Sequence, residues 1–211
     1  MSSIRAVILD YGNVLCVWPS AKEFEALYRL SGIPPDKFQE CFWRYRRDYD
    51  RARLDGPAYW RKVARDAAVA FTNGQIEQLI AADVRLWQHR DPTLTRWVEA
   101  LRATGVKTAL LSNMPRDIAR SLRQAPSWLE KFDSVVLSSE TGFLKPEPEI
   151  FRVCLRQLRV KMDEALFIDD RAENVVGAQA LGLHALRFES SRQLAGELEP
   201  FGLPGLELEA A

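Results

Sequence analysis

Polar residues stand where four short apolar runs stop. Asp10 follows Ala6-Val7-Ile8-Leu9, Ser112-Asn113 ends the run from Val106 to Leu111, Lys145 lies in the loop after Ser134 to Leu137, and Asp169-Asp170 closes Ala165-Leu166-Phe167-Ile168. Several carboxylates with further hard oxygen donors suit Mg²⁺, which favours octahedral oxygen ligation and keeps waters and substrate oxygens. A lysine adds compact positive charge, for a phosphate or for the acids themselves, while a serine hydroxyl and an asparagine amide can donate to phosphate oxygens. Such a set suits phosphoryl transfer, in which positioning and charge neutralisation dominate and a carboxylate can become an aspartyl-phosphate. Alone, Asp10 reads equally well as a turn-forming acid ahead of Gly12-Asn13. The set carries the chemistry, and the elements behind it must bring its members together.

The runs are too short for helices and do not alternate, so they read as strands buried on both faces, as in parallel sheets. In open α/β sheets ligands gather at the carboxyl ends of the strands, where all these polar residues fall. From Asp91 onward helices at about 93–104, 115–124, 147–158 and 174–181 alternate with strands, and His184 to Phe188 makes a fifth. This alternation predicts an α/β fold with a doubly wound, Rossmann-like parallel sheet. Pro19 to His89 is different: helical periodicity without a strand, in four segments introduced by Ser20, Asp36, Gly56-Pro57 and Asn73-Gly74, the last with its apolar stripe interrupted by Asp83. The expected organisation is a core of residues 1–16 and 91–211 with a small four-helix unit, residues 17–90, inserted after strand one. The tail from Gly202 is expected to fray.

In the 211 residues, Lys plus Arg and Asp plus Glu balance at 29 each, so no overall field favours nucleic acid or an anionic membrane, and neither is expected as a partner. The opening MSSIRAVILD lacks the pattern of a signal peptide and no run approaches transmembrane length, so a cytoplasmic protein is expected, as monomer or homodimer. Cys16, Cys41 and Cys154 are far apart and read as buried thiols; His89 and His184 lack metal-ligand spacing. Arginines crowd 44–53 among Asp48, Asp50 and aromatic residues. A solvated helix face with local ion pairs is one reading. The other is that an arginine such as Arg47, with Tyr49, Tyr45 or Trp18, faces the site and reads an anionic or sugar substrate.

The four strand-end motifs, ILDYGNVL, LLSN, Lys145-Pro146 and FIDDRAEN, resemble in order and spacing those of the haloacid dehalogenase-like hydrolase superfamily across residues 4 to 188. The resemblance implies Asp10 as nucleophile and Mg²⁺ ligand, Ser112 and Asn113 on the transferring group, Lys145 stabilising its charge, and Asp169 and Asp170 serving the metal. It also implies that the insert is a helical cap closing over the site. A response-regulator receiver combines similar groups, but with the acidic pair first and the phosphoacceptor in the middle. No G-x-G-x-x-G or G-K-[ST] follows any expected strand.

One departure matters. Phosphatases of the superfamily usually carry a second Asp two residues after the nucleophile, and here that position is Gly12. Its carbonyl can still ligate a metal, but general acid-base catalysis, worth roughly 10²- to 10⁴-fold, must come from elsewhere or be absent. The expectation is a Mg²⁺-dependent phosphatase acting on a small phosphorylated metabolite, such as a sugar 1-phosphate, since some sugar-phosphate phosphatases resemble this chain in a D-x-G-N first motif. The alternatives are a weak or inactive phospholigand-binding relative and a 2-haloacid dehalogenase, the latter disfavoured because those enzymes lack the paired acids.

Overall fold

A computed structural model describes residues 3–124 and 126–208. Five parallel strands, β1 (Ala6–Leu9), β2 (Lys107–Ser112), β3 (Ser134–Leu137), β4 (Ala165–Asp169) and β5 (His184–Arg187), are ordered β3-β2-β1-β4-β5. Ile8 of central β1 is flanked by Ala109 and Phe167. Every β1 residue is buried, with Val7 and Leu9 in one apolar cluster and Ala6 and Ile8 in the other, the period-two division of a sheet covered on both faces. The second face is sealed by α10 (Pro148–Leu158) and α11 (Ala172–Ala180). The first is packed by α6 (Pro92–Ala103), through Leu94, Trp97, Val98 and Leu101, and by α7 (Arg116–Arg123).

The helical stretch after β1 shares that first cluster, so its interior and the core's are one apolar mass. It comprises α1 (Ala21–Ser31), α2 (Pro35–Arg44), α3 (Arg46–Asp50), α4 (Gly56–Asp66) and α5 (Asn73–Leu86). The extra helix arises because Tyr45, at φ −106° and ψ 5°, breaks the second expected segment in two. Its hydroxyl is drawn to Asp66 of α4 at 2.8 Å. Isolated bridges join Cys16 to Gly12 and to Arg90 where the chain leaves and re-enters the sheet.

The tail departs from expectation as far as it is described: the Trp97 indole donates to the Pro204 carbonyl at 2.7 Å, and Leu206 is buried. Residues 209–211 of it lie outside the described residues. The three cysteines are buried free thiols. No helix among the described residues is long and apolar enough to cross a membrane.

Candidate active site

The loop after β3 delivers a buried ammonium to the ends of β1, β2 and β4. Lys145 Nζ lies 2.6 Å from Asp10 Oδ1 and 2.7 Å from Asp169 Oδ2, and donates to the Leu111 carbonyl at 2.9 Å, which uses all three of its N–H groups. Asn113 clamps the lysine's backbone: its Oδ1 accepts from Lys145 N at 2.8 Å and its Nδ2 donates to Lys145 O at 3.0 Å. The Asn113 side chain therefore holds the lysine loop with one of its two Nδ2–H donors, while the residue also lines the cavity. The next residue, Pro146, follows a cis peptide and packs on α11 at Gly177, where an added Cβ would come within 2.5 Å of the proline ring.

Asp169 is fully buried and saturated. Its oxygens accept from Lys145, from Arg171 N at 2.9 Å and from Asn174 Nδ2 at 2.9 and 3.0 Å. Asp170 instead lines the cavity and accepts from Asn13 Nδ2 at 3.1 Å. Asn13 sits at φ 57°, a left-handed conformation that asparagine tolerates and that completes the turn opened by Gly12. Carboxylate oxygens of Asp10, Asp169 and Asp170 all lie within 4.8 Å of one another. Burial pushes the Asp10 carboxyl up to about 7; Lys145 opposes this, and Asp169 and Asp170 add to it. Burial alone would favour neutral Lys145, but Asp10 and Asp169 outweigh it and hold the ammonium's pKa above its ordinary value.

One lysine therefore faces three acids. Hard oxygen donors with uncompensated negative charge fit a divalent cation. Asn174 Oδ1, buried and without a hydrogen-bond partner among the described residues, is an acceptor that a metal-bound water could fill. Asp10, Gly12 and Asp170 line the cavity, while Asp169 stands behind them as the anchor of Lys145.

The cavity measures about 510 Å³ and runs between the strand ends and the inserted helices. From the core it is lined by Asp10, Gly12, Ser112, Asn113, Lys145 and Asp170. From the helical side come Trp18, Trp43, Trp87, Arg46, Arg47 and Asp50. Trp18 stacks on Trp43 at 6.1 Å and meets Trp87 edge-on at 5.6 Å. Arg47 is exposed at this wall and makes no ion pair among the described residues.

Tyr49 corrects the expectation. It is buried, stacked on Tyr59 at 4.3 Å, with its hydroxyl donating to Asp117 at 2.8 Å, and it does not line the cavity. It fills the interior of the helical unit, where α3 buries it together with Arg46. The sequence reading also missed the group beside it. Arg46, 7% exposed, gives Nε to Asp50 at 3.0 Å and Nη1 to both oxygens of Asp83 at 2.9 and 3.1 Å. The signal was present: Asp83 interrupts the apolar stripe of α5 and needed a buried cation. Asn174, five residues beyond Asp169, was likewise missed.

The family model of haloacid dehalogenase-like hydrolases matches residues 4–182, and the chain belongs to that family. It is 34% identical to mouse acyl-CoA dehydrogenase family member 10 over 108 residues, 51% of this chain and 10% of that much longer protein. Sesquiterpene phosphatase astK of Aspergillus oryzae is 25% identical over 203 residues, covering 93% of this chain and 96% of astK. Among solved structures, a family enzyme of Bacteroides thetaiotaomicron in complex with magnesium and inorganic phosphate has a TM-score of 0.71 at 21% identity, covering 89% and 95% of the two chains. L-2-haloacid dehalogenase of Xanthobacter autotrophicus, with chloropropionic acid covalently bound, has 0.67 at 20%, covering 95% and 84%.

Proposed function

We propose that this hydrolase is a Mg²⁺-dependent phosphatase acting on a small phosphorylated metabolite through an aspartyl-phosphate on Asp10. The observation that carries the reading is the convergence of Asp10, Asp169 and Asp170 within 4.8 Å around the single ammonium of Lys145. A metal-free displacement at carbon has no need of that acidic excess, whereas a metal-bound phosphoryl group does. Relatives named phosphatases, and a structural neighbour holding magnesium and phosphate, agree with it.

Asp10, Asp170 and the Gly12 carbonyl would hold the ion, which supplies charge neutralisation for the phosphoryl oxygens. Lys145 steadies the Asp10 carboxylate before attack, and Asn113 keeps the lysine in place. Ser112 stands on the phosphate side of the cavity and Arg47 at its helical wall, where each can meet an anionic oxygen. Trp18, Trp43 and Trp87 offer aromatic faces to the organic part of the substrate. Such faces suit the C–H side of a sugar ring, as in a sugar 1-phosphate, and also suit a hydrocarbon.

Phosphate release from a panel of sugar, alkyl and isoprenoid phosphates, with and without Mg²⁺, tests the reading alongside Asp10→Asn. Metal-dependent turnover that falls to background in the variant is expected. Turnover that survives the substitution, or halide release from a 2-haloacid without phosphate release from any ester, overturns it.

A further inference from the structure

Gly12 leaves the reaction without the acid that would serve the leaving oxygen from the nucleophile's own loop. The helical unit brings another carboxyl to the same cavity. Tyr49, Asp50 and Arg51 are consecutive, and each is tied to the core: the Tyr49 hydroxyl to Asp117, the Asp50 carbonyl to Ser138 Oγ at 2.6 Å, and the Arg51 guanidinium to Glu147 in an ion pair. Ser138 Oγ in turn accepts from Met114 N at 2.9 Å, directly after Ser112-Asn113. The backbone of Asp50 is thus linked through one hydroxyl to the end of β2. Asp50 lines the cavity, and Arg46 Nε orients its carboxyl at 3.0 Å.

The other acids on that cavity have employment elsewhere. Asp10 is the nucleophile of the phosphatase reading and Asp170 one of its metal ligands, while Glu173 lies on the core rim paired with Arg171 at 2.9 Å. The Tyr11 hydroxyl is given to the Trp87 carbonyl at 2.7 Å. Resting on that reading, we propose that Asp50 is the general acid and then the general base of this enzyme, supplying from the cap what Gly12 cannot.

In the first half-reaction the Asp10 carboxylate bonds to phosphorus as the ester P–O bond breaks, and the Asp50 carboxyl proton goes to the departing alkoxide, releasing an alcohol. In the second, Asp50 carboxylate takes a proton from water as that water's oxygen bonds to phosphorus. The Asp10–phosphorus bond breaks, releasing inorganic phosphate and restoring both carboxyl groups. The local charge suits both states. Asp50 is faced by Arg46 of its own helix, Asp83 of α5, Tyr59 of α4 and Arg171 of the β4–α11 turn; burial pushes its carboxyl up to about 6 and Arg46 moderates the rise. General acids work best when their pKa lies near the operating pH.

The test is the dependence on leaving group. A primary alkyl phosphate departs as a strongly basic alkoxide and needs the proton, whereas p-nitrophenyl phosphate departs as a stable phenolate and does not. Asp50→Asn is expected to lower kcat/KM on the alkyl ester by roughly 10²- to 10⁴-fold and to change the aryl ester's only a few-fold, while kcat falls on both because water attack on the aspartyl-phosphate needs Asp50 whatever group has left. Asp50→Glu is expected to recover part of the alkyl loss. Equal losses of kcat/KM on both esters, or none on either, overturn the assignment. Wild-type enzyme gives an independent reading across a series of esters: a shallow fall of kcat/KM with leaving-group basicity is expected, and a steep one refutes Asp50. Failure of wild type to hydrolyse even the aryl ester with Mg²⁺ refutes the phosphatase reading instead.

Discussion

Replacing Asp50 by Asn should stabilise the protein at neutral pH. Arg46 already has a partner in Asp83, both of whose oxygens accept from Nη1, so Asp50 is a second carboxylate on one guanidinium and leaves the buried trio with one uncompensated negative charge. Burial raises its carboxyl from 3.8 to about 6 in the folded protein. At 1.36 kcal/mol per pKa unit, ionised Asp50 costs folding about 3 kcal/mol at pH 7 as an upper bound. Asparagine keeps the acceptor for Arg46 Nε and removes the charge, so a gain of about 1–3 kcal/mol is expected, or roughly 3–10 °C in Tm for a chain of this size.

The sign with pH follows from linkage. A carboxyl raised on folding contributes stability that is fully present below the unfolded pKa near 4 and is lost as pH rises through the folded value near 6. The two proteins should therefore be equally stable near pH 4, separate between 4 and 6, and stay a constant distance apart above. Urea unfolding of both at matched m, from pH 4.5 to 8, measures this. An Asp50→Asn protein less stable than wild type at pH 7 by more than about 1 kcal/mol, or an offset that does not change with pH, refutes the charge argument.

The opposite substitution, Arg46→Met, leaves Asp50 and Asp83 buried without a cation and should cost about 3–5 kcal/mol at pH 7 in urea unfolding, less at pH 5 as the acids take up protons. Lys145→Met strips Asp10 and Asp169 of their shared ammonium and should lower phosphate release by roughly 10²-fold or more. Lys145→Arg should fail to restore it, because the side chain is enclosed at 1% exposure with no room for a wider fork. Arg47→Ala should raise KM about 10-fold with kcat nearly unchanged, and Tm should not move, since this arginine pairs with nothing among the described residues.

The sheet and the strand-end residues were legible because parallel strands leave uninterrupted apolar runs, and because Asp10, Ser112 and Asp169-Asp170 stop those runs abruptly. What α3 does was not legible. In RRDYD, Arg46 and Asp50 stand at i and i+4, the spacing of a solvated ion pair, and periodicity cannot tell that pair from a buried one. Here the neighbours decide. Arg44–Asp66 and Arg53–Asp48 are surface pairs, whereas Arg46–Asp50 is enclosed by Phe42, Tyr49 and Trp87. Asn113 illustrates the same limit on the core side: its residue type fits a phosphate contact, but its clamp on the backbone of Lys145, a partner 32 residues away in sequence, is something only folding supplies.

Gly12 and Asp50 are connected through Trp87. A Cβ on residue 12 would meet the Trp87 ring at 3.4 Å, an ordinary contact, so an acid there would begin against the indole. Trp87 cannot withdraw freely, because its Nε1 donates to Asp83 at 3.3 Å and its carbonyl accepts from Tyr11. Asp83 in turn holds Arg46, which orients Asp50. Gly12→Asp should therefore place its side chain against Trp87 with Tm little changed, and leave hydrolysis of alkyl phosphates no faster than wild type because Asp50 already fills the acid's role. An acceleration of more than about 10-fold would show that the role had stood vacant, and would refute its assignment to Asp50.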